Sequence, residues 1–277
     1  MAQPLTSKIF NHFLGNKSPV YLGNNLAIVK TIGRIKLLVD TRDLSIAPHI
    51  LIDRQWEPII TKFFRRTVKK GFRVIEIGSN IGYFTTIAAK QVGPDGKVYA
   101  FEANPDVYKI CKNNIELNGL NNIVNIKNIA ISDKKGTVKF QKFTRHQGNS
   151  TIVSADLLTE YSEEIESITV TTDALDQLLP SERIDFIKID AEGSERLIFS
   201  GMEALLKNNN QVKILCEFFP ERLIQAKVNP EEFIDYISSL GFLILTINDE
   251  SKTTRCFKDE LLSKKVSELF LQKIHGL

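Results

Sequence analysis

Short apolar runs of strand length alternate with amphipathic segments along the chain from Arg73 onward. Alternation of this kind is typical of a largely parallel sheet that is covered by helices on both faces. The predicted strands are 73–77, 97–102, 123–131, 185–190, 212–217 and 242–247, and the predicted helices are 83–91, 105–118, 195–207 and 230–240.

Residues 1–70 precede this alternation and are predicted to form an N-terminal cap on a core domain at 71–277. Residues 26–40 alternate well enough for a hairpin with Gly33 at its turn. Residues 56–70 have a helical pattern with a basic cluster, which is more often a solvated helix face than a binding surface. The cluster consists of Lys62, Arg65, Arg66, Lys69 and Lys70.

The alternation also breaks between about 134 and 183, after the third predicted strand. Residues 137–143 and 168–172 have strand patterns, with no long helix between them and a loop-like stretch at 147–151. An insertion near the carboxyl ends of a parallel sheet commonly shapes the substrate pocket. We therefore expect the side chains of this insertion to determine substrate specificity.

A predicted strand runs into a glycine-bracketed loop at 74–84, and a helical segment follows at once. Such a loop and helix N-terminus form a pocket for the polar groups of a nucleotide. A dinucleotide fingerprint from Gly78 would need glycines at 80 and 83, where the chain has Asn80 and Tyr83. The pattern E-x-G-x-N-x-G from Glu76 favours an S-adenosylmethionine (SAM) loop, with another nucleotide or a structural turn as alternatives.

A second acid, Glu102, ends the next predicted strand, 24 positions after Gly78. A carboxylate at that position can accept hydrogen bonds from both ribose hydroxyls of an adenosyl ligand. The alternative is that Glu102 is a solvated acid at the end of a strand. Asn104 and Pro105 then begin a helix with a side-chain cap and a proline in the first turn.

Bulk composition narrows the class of protein. The 277 residues are 43% hydrophobic and 25% charged, and the net charge of +3 is too small to indicate nucleic acid or a membrane. The cysteines, Cys111, Cys216 and Cys256, lack disulfide or metal spacing, which favours a reducing compartment. Without a membrane-length apolar run or a signal-peptide pattern, the expected location is the cytoplasm.

Another apolar strand, at 184–189, runs into three charged residues that are the predicted catalytic residues: Lys188, Asp190 and Glu192. Side chains two apart in a strand point the same way, so Lys188 and Asp190 share a face near the ligand-binding edge of the sheet. A buried strand rarely carries such residues unless they pair or have a function. A purely structural ion pair is the alternative.

A hydroxyl that accepts a methyl group must be positioned and must lose its proton to a base or a metal-bound group, whereas a carboxylate needs no base. Asp190 is the candidate base, with Lys188 orienting it or holding the acceptor. Asp190 and Glu217 could share a metal, but the histidines do not cluster and no metal is expected. His146, a lone loop histidine, is an alternative base.

These stretches together resemble the FkbM family of SAM-dependent methyltransferases. The resemblance covers about 50–247, and its most specific element is Lys-Ile-Asp-x-Glu-Gly at 188–193. The matching stretches are 76–82 (EIGSNIG), 101–105 (FEANP), 128–136 (NIAISDKKG), 170–179 (VTTDALDQLL), 186–195 (FIKIDAEGSE), 201–206 (GMEALL) and 214–217 (ILCE).

The resemblance implies a Rossmann-like class I methyltransferase: an α/β fold with a mostly parallel seven-stranded sheet, an N-terminal cap and an insertion between strands 3 and 4. It also implies O-methylation of a hydroxyl on a small-molecule acceptor such as a sugar or a polyketide or peptide natural product. The expected SAM-binding residues are Glu76, Gly78, Ser79, Asn80, Gly82, Tyr83, Phe84, Glu102, Ala103, Asn128, Ala130, Ile131 and Asp190.

Two positions depart from the family pattern. Glu76 stands where the family often has Asp, and Ser194 stands where it often has His or a small residue, so a base on that histidine is absent. Carboxylate or N-methylation and a SAM-binding module without catalysis are the alternatives. An NAD oxidoreductase would need the missing glycines. RNA methylation is disfavoured because the chain lacks an Asn-Pro-Pro-aromatic motif.

Overall fold

The computed structural model describes residues 18–153 and 163–273. Parts of the predicted cap (1–17), insertion (154–162) and core domain (274–277) lie outside the described residues. Within those ranges, none of the helices has the length and apolar character needed to span a bilayer.

Strands and helices alternate from Arg73 onward, as the sequence predicts. The strands are β1 (Val20–Gly23), β2 (Leu26–Lys30), β3 (Lys36–Asp40), β4 (Arg73–Ile77), β5 (Lys97–Glu102), β6 (Val124–Asn128), β7 (Ala130–Ile131), β8 (Gly136–Phe143), β9 (Ile165–Asp173), β10 (Phe186–Ile189), β11 (Lys213–Phe218), β12 (Phe242–Ile247), β13 (Thr253–Arg255) and β14 (Ser267–Lys273). The helices are α1 (Ala47–Ile52), α2 (Pro58–Thr67), α3 (Tyr83–Val92), α4 (Pro105–Leu117), α5 (Leu175–Leu178), α6 (Glu195–Ser200), α7 (Glu203–Asn208), α8 (Pro220–Gln225), α9 (Pro230–Ser239) and α10 (Lys258–Ser263), with a 3₁₀ turn at Gln147–Asn149.

The main sheet has eight strands in the described part of the chain, in the order β13-β12-β14-β11-β10-β4-β5-β6. The pairs from β11 to β6 are parallel, and β14 is antiparallel to both of its neighbours. This confirms the expected α/β fold, with the short edge strand β13 added to seven strands. The carboxyl ends of β4, β5, β10 and β11 consequently meet at one edge.

The single strand expected at 123–131 is instead divided. β6 ends at Asn128, and β7 pairs with β9 in a second sheet of order β7-β9-β8. The Asn128 side chain donates to the carbonyls of Glu102 and Ala103 at 2.7 and 3.1 Å, and the Ile129 amide also donates to Glu102. These bonds hold the chain against the end of β5 at the point where β6 ends.

The prediction of a single helix at 195–207 is also wrong, because α6 and α7 are separate helices. A Cβ on Gly201 would lie 2.0 Å from the Ser132 carbonyl oxygen, so the chain passes too close for any side chain. Asp176 accepts hydrogen bonds from the amides of Ala204 and Leu205 at 3.0 and 2.7 Å, which fixes the start of the second helix.

The N-terminal segment packs directly on the sheet. The expected hairpin is present as β2 and β3, with β1 as an added strand. Leu37 and Phe64 lie in the same buried cluster as Ile87 of α3. Buried Asn114 of α4 accepts from the Leu38 amide and donates to the Leu38 and Ile81 carbonyls, which ties β3 to the glycine loop.

Candidate functional site

A cavity opens at the carboxyl ends of β4, β5, β10 and β11. The strand order reverses on either side of β4, and open α/β sheets bind ligands at such a switch point. The N-terminal segment and the insertion complete its walls, as expected of the insertion. The N-terminal segment contributes Ser45, Ile46, Trp56 and Glu57, and the insertion contributes Phe140, Gln147, Gly148, Asn149, Ser150 and Ile152.

The predicted catalytic and cofactor-binding residues all line this cavity except Gly82 and Asn128. The Gly82 amide donates a hydrogen bond to the Ser79 carbonyl at 2.9 Å, so Gly82 stabilises the loop conformation without lining the cavity. Asn128 holds the carbonyls of Glu102 and Ala103 in the same supporting way. The structure therefore brings the other predicted residues together at one cavity, and these two support it from outside the lining.

The glycine loop is fixed by its own backbone and by the neighbouring strand. The amides of Gly78 and Ser79 both donate to the Phe101 carbonyl at 3.0 Å. A Cβ on Gly78, whose φ is +76°, would lie 1.8 Å from the Asp190 carbonyl oxygen. Only glycine allows both that backbone conformation and that close approach, which brings the loop against the end of β10.

Glu102 closes the loop from the second strand. Its two carboxylate oxygens accept from the amides of Asn80 and Asn104, each at 2.8 Å. Burial raises the pKa of Glu102 to about 7 against the opposing effect of those amides. Burial likewise raises the pKa of Glu76 to about 8, although Thr85 donates a hydrogen bond to it.

Lys188 and Asp190 share one face, as the strand alternation predicts. Their Nζ and Oδ2 atoms are 2.9 Å apart; the Lys188 side chain is 2% exposed and that of Asp190 is 29% exposed. Burial opposes a charge on Lys188, but the surrounding carboxylates, with Asp190 foremost, outweigh it and raise the pKa of Lys188. The ion pair holds the Asp190 carboxylate, and both residues line the cavity.

Asp190, Glu192 and Glu217 have carboxylate oxygens within 4.8 Å of one another. Burial and the charge of Asp190 raise the pKa of Glu192 to about 8 and that of Glu217 above its ordinary value. The three acids could approach a metal, but Lys188 already pairs with Asp190, and Arg222 Nε lies 3.3 Å from Glu192. The expectation of no metal stays a prediction.

Asp43 joins the two outer walls of the cavity, and sequence reasoning missed it. The side chain is almost fully buried and accepts from the Ser45 hydroxyl and from the amides of Ser45, Ile46, Ala47 and Gln147. Its position just before a helix with proline in the first turn is a capping signal that the sequence contained.

His146, the alternative base, is not among the residues that line the cavity. Its Nδ1 instead lies within hydrogen-bond distance of a carboxylate oxygen of Glu163, within the insertion. The geometry therefore leaves Asp190 as the better-placed candidate base.

An open α/β sheet with a cavity at its switch point defines a Rossmann-like class of nucleotide-binding proteins. Comparison with known families is more specific, because the Methyltransferase FkbM domain matches residues 76–244. The chain belongs to the FkbM methyltransferase family.

Among curated proteins, Methyltransferase sdnD from Sordaria araneosa is 26% identical over 156 residues, which cover 47% of this chain and 60% of that protein. A protein-L-isoaspartate O-methyltransferase from Methanococcoides burtonii is 36% identical over 56 residues, 20% of this chain and 28% of that protein. The chain thus spans less than two thirds of either relative. A solved SAM-dependent O-methyltransferase from Thermotoga maritima aligns with 95% of this chain and 87% of its own, at 12% identity and a TM-score of 0.46.

Proposed function

We propose that the protein is a SAM-dependent O-methyltransferase that methylates a hydroxyl of a small molecule, such as a sugar or a secondary metabolite. The observation that supports this most is the close approach of the Gly78 loop to the end of β10, within one cavity. A donor bound on that loop would lie beside the Asp190 carboxylate. Membership of the FkbM family supports the class of chemistry.

The cavity chemistry fits SAM. Glu76 and Glu102 are buried carboxylates with raised pKa values, and such groups favour ligands that bring hydroxyl donors or positive charge. We assign Glu102 to the ribose hydroxyls and the apolar Ala130 and Ile131 to the adenine. When bound, SAM supplies an electrophilic methyl group on a sulfonium.

The residues around β10 would prepare the acceptor. Asp190 accepts the proton of the attacking hydroxyl, and Lys188 holds the Asp190 carboxylate in place through their ion pair. The walls from the N-terminal segment and the insertion position the acceptor and restrict water. Carboxylate or N-methylation would use the same cavity, and a non-catalytic SAM-binding module would leave Asp190 without a role.

A small molecule, and not nucleic acid, is the proposed partner. Among the cavity-lining residues that the structure describes, Lys188 alone has a lysine or arginine side chain, whereas nucleic acid is bound largely by such cations. We also propose a reducing, cytoplasmic location, because all three cysteines are unpaired.

Transfer of a labelled methyl group tests the proposal. The purified protein is incubated with methyl-labelled SAM and a panel of alcohols, sugars, amines and carboxylic acids, with and without EDTA. We expect label on an oxygen of a hydroxyl compound in both conditions, and binding of S-adenosylhomocysteine (SAH) but not NAD by calorimetry. Label only on nitrogen or carboxylate, or loss of transfer with EDTA, would reject the hydroxyl reaction or the metal-free mechanism, respectively.

A further inference from the structure

Glu57, in the N-terminal segment, lines the cavity beside Trp56 but lies outside the residues that match the FkbM domain. Its φ is +41°, in the left-handed region that non-glycine residues rarely adopt, and Pro58 follows it at the start of α2. Strained residues of this kind persist where the surrounding structure holds them, and they are common at functional sites. Glu57 lies at the cavity wall in this strained conformation.

The Glu57 carboxylate lacks a partner for one of its oxygens. Oε2 is fully buried and has no hydrogen bond to any residue that the structure describes. A buried carboxylate oxygen without a donor is costly, so a ligand that supplies a donor would remove that cost. Burial also raises the pKa of Glu57 to about 7, although Lys188 opposes the shift.

The surroundings of Glu57 are strongly acidic. Glu217 of β11 and Glu268 of β14 are direct cross-strand neighbours, and like charges opposite each other destabilise a sheet. Glu57 and Glu268 each raise the pKa of Lys188, which places both near that ammonium group. Lys188 is already paired with Asp190, so this end of the cavity has more carboxylates than cations.

We propose that Glu57 binds the methyl acceptor, and that the acceptor presents hydroxyl or ammonium donors and carries no net negative charge. Trp56 beside it offers an aromatic face on which a sugar ring or an ammonium group can pack. The inference rests on the proposed methyltransferase function and makes it more specific. It excludes carboxylate acceptors, which the sequence left open.

Three hexoses that differ mainly in charge test the inference: glucosamine, glucose and glucuronate. Each is titrated against the full-length protein saturated with SAH, and the dissociation constant is measured by calorimetry or saturation-transfer NMR. We expect glucosamine to bind at least about tenfold more tightly than glucuronate, because a charge-assisted hydrogen bond is replaced by repulsion. Glucose should lie between them.

Glu57→Gln keeps the shape of the side chain and removes its charge, and exposed Glu116→Gln on α4 is the matched control. We expect Glu57→Gln to reduce the preference for glucosamine several-fold while SAH affinity stays within about twofold. Glu116→Gln should change neither. The comparison of hexoses on the unaltered protein does not depend on the folding of any variant.

Each other outcome contradicts the inference. Equal or tighter binding of glucuronate, or no binding of any hexose, rejects a donor-selective acceptor site. Loss of SAH binding in folded Glu57→Gln places Glu57 in the cofactor site instead. Failure of the unaltered protein to bind SAH rejects the proposed function itself, and the inference with it, whereas SAH binding without charge preference rejects only the inference.

Discussion

At the scale of single residues, the site is a set of buried carboxylates whose pKa values lie near neutrality. Glu76, Glu102 and Glu192 have pKa values of about 8, 7 and 8, and burial is the largest cause in each. Such groups are poorly stabilised as anions by the protein alone. Hydroxyl donors and cations of bound ligands would stabilise them.

Glu102→Ala should weaken SAM binding by roughly 10–100-fold, which corresponds to about 1.5–3 kcal/mol for hydrogen bonds to a charged group. The loss includes the anchoring of the Asn80 amide. Isothermal titration calorimetry measures the dissociation constant, and circular dichroism checks the fold. The SAM affinity of Glu102→Gln, which keeps one acceptor oxygen, should lie between those of the unaltered protein and of Glu102→Ala. Unchanged affinity in Glu102→Ala would remove Glu102 from the ribose role.

Asp190→Asn should reduce the rate of methyl transfer by about 10²–10⁴-fold, the usual contribution of a general base. SAH affinity should change much less, because the loop that faces Asp190 approaches its backbone carbonyl and not its side chain. Single-turnover kinetics with labelled SAM separate the two effects. Turnover that survives the substitution would show that Asp190 is not the base.

The raised pKa values also predict how stability depends on pH. Over the range between its ordinary pKa of 4.5 and its folded pKa of about 8, Glu76 is protonated when folded and ionised when unfolded. Folding then takes up a proton, so the free energy of unfolding falls as pH rises from about 5 to 8. Urea denaturation of the ligand-free protein at several pH values measures this slope. Glu76→Gln should make the slope smaller, because the other buried carboxylates with raised pKa values still contribute, and an unchanged slope would contradict the assignment.

The residue scale also shows what sequence can reveal. The shared face of Lys188 and Asp190 follows from strand alternation, and the structure confirms it. The position of Glu57 at the cavity could not be predicted, because it depends on where the N-terminal segment packs. No local sequence pattern indicates that Glu57 of the N-terminal segment and the residues of β10 line the same cavity.

At the scale of elements, local sequence signals predicted helix ends correctly, whereas the sequence held no signal for contacts between distant parts of the chain. The helix cap at Asn104 forms as the sequence predicts, because its side chain accepts a hydrogen bond from an amide in the first turn, and Asn229 caps α9 in the same way. The division of 123–131 and of 195–207 depends on contacts with Glu102 and Asp176, which lie more than 20 residues away in the chain. Strand β14 was missed because its place between β11 and β12 is purely tertiary.

Asp43→Ala should loosen the contact between the N-terminal segment and the insertion. It removes acceptors for Ser45, Ile46, Ala47 and Gln147, and we expect a loss of roughly 2–4 kcal/mol in the free energy of unfolding. Urea denaturation measures the loss, and limited proteolysis should show faster cleavage near 147–151. Asp43→Asn, which keeps one acceptor, should lose less. Wild-type stability in Asp43→Ala would contradict this linking role.

At the scale of the whole molecule, the cavity is built from three parts of the chain. The sheet supplies the Gly78 loop, Glu102 and Asp190, and these lie in the part that matches the family. The N-terminal segment supplies Trp56 and Glu57 from outside that match, and the insertion supplies the facing wall.

The most direct test of the central claim is a crystal structure of the protein with SAH. We expect SAH in the cavity at the ends of β4, β5 and β10, with its ribose hydroxyls in hydrogen-bond contact with Glu102 and its sulfur on the side that faces Asp190. SAH bound elsewhere, or a cavity that takes a dinucleotide and excludes SAH, would contradict the account.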